Sequence, residues 1–174
     1  MPRLALMRHA KAAPQGGGDD HGRPLALRGL DDAPRMGAWL KASGFAPALT
    51  LVSDARRTRE TFDLVARCYD APLLMRLDPR LYMATAQTLL AIVRSTPANV
   101  PTLLLIGHNP ALAELALQLA GGDEGNVKSR LRKGFPPASL AILDLAGTSW
   151  SALAVGLGRL ESFVTPLQLG GEGE

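Results

Sequence analysis

Short apolar runs alternate along the chain with longer stretches in which apolar residues recur at three- and four-residue steps. Residues 4–7, 49–52, 102–106 and 140–143 are compact, apolar and bounded by proline, glycine or polar turn residues, which predicts strands. Helical periodicity fills 29–42, 55–69, 85–94 and 110–120 between them. A last strand is expected near 150–155. Strand and helix in alternation predict an α/β fold, a three-layer α/β/α sandwich whose central sheet is mostly parallel. No repeat or interdomain linker interrupts the pattern, and a chain of 174 residues suits one domain over 1–174.

Three of these strands end in groups that are costly to bury. The first delivers Arg8 and His9 side by side, in "LALMRHA". The second closes on Ser53 and leads into "DARRTRET". The third, "TLLLIGHNPAL", passes through Gly107, His108, Asn109 and Pro110 into a helix. Sites in open α/β sheets form beyond the carboxyl ends of the strands, where all three segments lie. On a 3.6-residue period Arg56, Arg59, Glu60, Asp63 and Arg67 share the outer face of the second helix. Arg57 lines up instead with Thr61, Leu64 and Cys68 and is expected to point inward. An inward arginine needs a carboxylate or a bound anion. His108 is expected to abut a helix N-terminus, with Asn109 as N-cap and Pro110 as first helical residue, an arrangement that suits an anion. Two arginines, two histidines and a helix N-terminus describe a pocket for a phosphoryl group.

Composition narrows the alternatives. Apolar residues make up 47% of the chain and charged residues 20%, an ordinary globular balance, with a net charge of only +3. The densest basic patch, Lys128 to Lys133, carries no interleaved aromatics and reads as a solvated loop, so no nucleic-acid partner is expected. The uncharged stretch 95–113 contains Pro97, Pro101 and Pro110 and does not read as a membrane span. One cysteine, Cys68, excludes an intramolecular disulfide, and with no signal-peptide core the expected location is the cytoplasm. The glycine-rich stretch 11–23 is either a mobile surface loop or a flap beside Arg8 and His9. Its Asp19-Asp20-His21 triplet lacks a second cluster to complete a metal shell, so no metal is expected.

The set "LALMRHA", then Ser53, Arg57 and Thr61 at steps of four, then "LLIGHNP" resembles the histidine phosphatase superfamily, the phosphoglycerate mutase-like fold. The short chain, RHA in place of RHG, and the segments "RPLALRG", "RLYMATAQTLL" and "GHNPAL" are similar to its SixA-type phosphohistidine phosphatases. The resemblance implies that His9 is transiently phosphorylated, that Arg8, Arg57 and His108 hold the phosphoryl oxygens, with Asn109 beside them, and that no cofactor is needed. A glutamate acid common in that superfamily is missing: "RLDPRLY" has Pro79 there, with Asp78 adjacent as a possible acid. Phosphohistidine has a weak P–N bond and needs an acid less than an ester does. Pro137 stands where a threonine is usual, which bears on substrate contacts at that point. The implied substrate is a phosphohistidine-bearing protein. The alternatives are a phosphatase of small phosphate esters and a non-catalytic phosphate-binding domain; the oligomeric state is not legible.

Overall fold

The computed structural model describes residues 2–122, 126–145 and 147–171. Its strands are β1 (Arg3–Arg8), β2 (Leu49–Val52), β3 (Met75–Leu77), β4 (Thr102–Gly107), β5 (Leu140–Asp144) and β6 (Arg159–Val164). Its α-helices are α1 (Leu27–Ala42), α2 (Arg56–Ala66), α3 (Ala86–Arg94), α4 (Ala111–Leu119) and α5 (Val127–Lys133). The strands form one sheet in the order β3-β2-β4-β1-β5-β6, parallel from β3 through β1, with β5 antiparallel to both its neighbours. This is the mostly parallel α/β arrangement that the alternating pattern predicts.

The central strands read as unbroken apolar runs because both faces of the sheet are covered. Leu4 to Met7 have no exposed surface, and neither do Leu103 to Ile106. Met36, Leu40 and Val65 of α1 and α2 pack on one face with Ala5, Met7 and Leu104. Leu89, Leu112 and Leu115 of α3 and α4 pack on the other with Leu4, Leu6 and Leu105. Each fully buried leucine contributes about 1.5–3 kcal/mol. That stabilisation offsets the cost of gathering charge at the strand tips.

Two sequence expectations change. The last strand is Arg159–Val164, and 150–155 is a turn-rich connection. Trp150 and Leu153 of that connection look strand-like because they are buried, and the Trp150 indole N–H donates to the Val100 carbonyl at 2.7 Å. The basic patch is not a loop but lies in α5, which buries Leu131, and its Lys128 and Arg130 donate to the Ala120 and Phe163 carbonyls.

The register places the three polar strand ends together. Arg8 pairs with Gly107, and Val52 with Ile106, so the residues that follow these strands emerge side by side at one edge. The glycine-rich segment is a hairpin rather than a free loop. Ala12 bridges Leu25, Ala13 N–H donates to Pro24 O, and Leu25 N–H donates to Glu60 of α2 at 2.7 Å. Gly29 of α1 lets this base sit close: a Cβ there would lie 2.2 Å from Lys11 O.

Candidate active site

His9 follows β1 and is only 8% exposed. Its Nδ1 lies 2.7 Å from the Ala10 carbonyl oxygen. A carbonyl only accepts, so Nδ1 carries the proton and Nε2 keeps a lone pair. Burial, opposed only in part by that hydrogen bond, lowers the His9 pKa to about 3, so the ring is neutral at pH 7. A short relay holds it in place. Ala10 N–H donates to the Thr61 hydroxyl at 3.0 Å, and that hydroxyl donates to the Arg57 carbonyl at 2.7 Å.

Arg57 takes the inward position that the helix period predicts, at 5% exposure, while the Arg56 side chain is 52% exposed and pairs with Glu60 at 2.7 Å. Its Nε lies 3.4 Å from His9 Nε2 and one Nη lies 3.4 Å from His108 Nδ1. A guanidinium only donates, so His108 Nδ1 accepts and its Nε2–H donates to Ser53 Oγ at 2.8 Å. Burial and then the Arg57 charge lower the His108 pKa to about 4. The two imidazole centroids are 5.2 Å apart. Arg8 donates to the Phe135 carbonyl at 2.9 Å, which also accepts from the Asn109 side-chain amide at 2.9 Å. Arg8, His9, Arg57, His108 and Asn109 line one cavity of about 310 Å³.

Two expectations are corrected. Asn109 does not cap α4: the N-cap position is Pro110, and the Asn109 side chain is turned to Phe135. Asp78 does not line the cavity. It caps the short 3-10 turn Pro79–Leu81, and Arg80 holds both its oxygens at 2.9 and 2.6 Å. Those bonds, the Arg80 side chain first, hold its pKa below the usual carboxylate range, which does not suit an acid. The Asp19-Asp20-His21 triplet splits three ways. Asp19 accepts from Gly22 N–H, Asp20 faces the cavity, and His21 pairs with Asp54 at 3.0 Å. Among the described residues no three such side chains gather to hold a metal.

Asp20, Arg23, Tyr82 and Met83 complete the cavity wall, and sequence reasoning missed their place there. Asp20 accepts from Arg57 at 3.0 Å, from Tyr82 OH at 2.7 Å, and pairs with Arg23 at 3.0 Å. The inward arginine therefore has a carboxylate and also faces the open cavity. The available signal was the resemblance: these residues lie in "DDHGRPL" and "RLYMAT", segments that overlap the SixA-like "RPLALRG" and "RLYMATAQTLL". With both histidines neutral, Arg8, Arg23 and Arg57 against Asp20 leave the wall cationic, a setting that binds a tetrahedral dianion.

The chain belongs to the histidine phosphatase superfamily: the model of its branch 1 matches residues 4–82. Within it, the chain is similar to SixA-type members. It is similar to SixA of Nakamurella multipartitia, at 28% identity over 95% of this chain and 96% of that one, with a TM-score of 0.83. It is also similar to the protein histidine phosphatase SixA complexed with tungstate, at 25% identity over 96% and 99%, with a TM-score of 0.77. The uncharacterized protein Rv1276c of Mycobacterium tuberculosis (strain ATCC 25618 / H37Rv) is 39% identical over 162 residues, which are 92% of this chain and 99% of that one. Phosphatase chemistry is the activity that this membership and this site support.

Proposed function

We propose that the chain dephosphorylates phosphohistidine carried on a protein, through a phosphorylated His9 intermediate. The observation that carries this reading is the His9 ring: Nδ1–H is committed to Ala10 O, and Nε2, unprotonated, sits 3.4 Å from the Arg57 guanidinium at the floor of a cationic cavity. Nε2 attacks phosphorus in line while the bond from phosphorus to the leaving nitrogen breaks, its electron pair staying on that nitrogen. Water then attacks phosphorus from the vacated side, and the N–P electron pair returns to His9 Nε2 as inorganic phosphate forms. Arg8, Arg57 and His108 hold the equatorial oxygens, where transition-state charge is spread. His108 can donate from Nδ1 to a phosphoryl oxygen as the imidazolium, or as the neutral tautomer whose Nε2 accepts from the Ser53 hydroxyl. The charge on the phosphoryl group is met by arginines, and no step calls for a metal.

The SixA-type relatives and the occupied state of Asp78 both support phosphohistidine over small esters. An alkoxide leaves poorly without an acid, whereas an imidazole leaves as a neutral base. Among the described residues no helix is long and apolar enough to cross a membrane, and a cytoplasmic phosphoprotein is the partner we propose. The test is phosphate release from a phosphohistidine-bearing protein. Wild type is expected to release phosphate and to be labelled on His9 when quenched, and His9→Ala to lose at least about a thousandfold in rate. Unchanged release by His9→Ala, or label on another residue, overturns the reading. Preferred turnover of sugar phosphates moves the substrate to small esters, and tight sulfate binding with no turnover reduces the chain to a binding domain.

A further inference from the structure

Asp20 stands where an anion is hardest to explain. A phosphatase pocket that must attract a dianion has a carboxylate built into its wall, with Oδ2 3.0 Å from Arg57 and Oδ1 3.0 Å from Arg23. The hairpin that carries it is fastened to α2: Arg56 N–H donates to His21 O at 3.0 Å, and Arg57 Nη1 donates to the Asp20 backbone carbonyl at 2.7 Å. A carboxylate fixed this firmly by both its side chain and its own backbone is not an accident of a loose loop.

Its position in the cavity suggests what it meets. His9 lies on the floor at 8% exposure, and the Asp20 side chain is 37% exposed. In-line attack from the floor sends the leaving group toward solvent, and Asp20, Tyr82 and Met83 line the same cavity with part of their surface exposed. Three donors reach the carboxylate, one of them on Oδ1, and an ionised carboxylate has about four acceptor sites, so Oδ1 can take one more.

We propose, on top of the phosphohistidine reading, that Asp20 is a specificity-determining residue that accepts a hydrogen bond from the distal N–H of the leaving imidazole. The arrangement mirrors the nucleophile, whose own distal N–H is held by Ala10 O. The substrate ring enters the transition state protonated at its distal nitrogen. As the P–N bond breaks, the electron pair stays on the leaving nitrogen and the ring departs as neutral imidazole, with its proton still on the far side. No acid is consumed. A leaving alkoxide or phenolate develops negative charge at the same place and is opposed by the carboxylate, so one group favours phosphoramidates and disfavours esters. The donors around Asp20, Tyr82 first, hold its pKa below the usual range, which keeps it an acceptor and not an acid.

The experiment measures kcat/KM of wild type and Asp20→Asn on free phosphohistidine and on p-nitrophenyl phosphate, whose phenolate leaves without a proton. Asp20→Asn is expected to lose about 10- to 100-fold on phosphohistidine, the range of a charge-assisted hydrogen bond, and to lose clearly less than that on the ester. The loss is expected to be greatest above the pH at which free phosphohistidine is itself protonated. Tyr82→Phe, which leaves the carboxylate in place but removes one of its anchors, should shift the same ratio in the same direction by less. Equal losses on both substrates would mean that Asp20 only steadies Arg57, and no loss on either would mean that it touches nothing that reacts; each overturns the proposal. Failure of the His9 mechanism itself is visible separately, as absent label on His9 in wild type.

Discussion

Two arginine–aspartate clusters lie in this molecule, and only one of them makes a site. On α1, Asp32 is 2% exposed and is held by Arg28 at 3.3 Å and Arg35 at 3.4 Å, residues four before and three after it on the same helix. Asp31 lies beside them, so two carboxylates face two guanidiniums. At the strand tips, by contrast, three arginines and one carboxylate line the cavity, the carboxylate pairs with Arg23 and Arg57, and the neighbouring imidazoles are kept neutral by burial. The first cluster is assembled by one helix and balances its own charge. The second draws on a hairpin, two strand ends and a second helix, and its charge is left over. Convergence of distant segments on an unbalanced charge is what separates a binding site from a structural ion pair, and neither arginine count nor burial does so alone.

Substitutions can break this contrast. Arg57→Ala is expected to lower kcat/KM by about a hundredfold or more with the fold retained, because it removes the group shared by both histidines and Asp20; a loss under tenfold would place the two clusters in one class. Sulfate binding sharpens the electrostatic side. His108, with a pKa of about 4, is neutral at pH 7 and donates to the anion either by taking up a proton or by a tautomer change in which Ser53 donates to its Nε2. Proton uptake makes affinity for sulfate fall as pH rises, by up to about tenfold per unit where one whole proton is taken up, and a tautomer change leaves it level. Calorimetry in two buffers of different ionisation enthalpy reads that proton directly, and His108→Gln should abolish it. Asp32→Asn should do the reverse of the active-site changes, costing about 1–3 kcal/mol of stability by chemical denaturation while kcat/KM stays within about twofold. Arg56→Ala, one position from Arg57 but on the wet face, should alter activity least, again within about twofold.

Much of the fold was readable because the central strands and helices have a single job. β1, β2, β4 and β5 are buried on both faces and show as plain apolar runs, and α1 to α4 carry the helical period. The elements that escaped serve mixed environments. β3 is three exposed residues at the sheet edge, and β6 alternates exposed Arg159 with buried Leu160, so neither forms an apolar block. The 150–155 stretch misleads for the opposite reason, burying Trp150 and Leu153 without joining the sheet. At the site, Arg8, His9, Arg57 and His108 were legible because each ends a strand or breaks a helical face. Asp20 was not: it sits in an aperiodic hairpin, and its partners Tyr82 and Arg57 lie 62 and 37 residues away. The Asn109 cap was a reasonable inference from residue type, but the helix starts one residue later, with Pro110 at the N-cap, and the Asn109 side-chain nitrogen donates to the Phe135 carbonyl.

The bond from His9 to the Ala10 carbonyl also bears on the fate of the phosphoenzyme. With Nδ1 kept protonated, a phosphoryl group arriving on Nε2 turns the ring into a cation, and a P–N bond on a cationic ring is poised to break. A main-chain oxygen cannot titrate away and cannot be replaced by changing a side chain. In the proposed mechanism the polypeptide itself thus favours turnover of the intermediate, which suits a hydrolase.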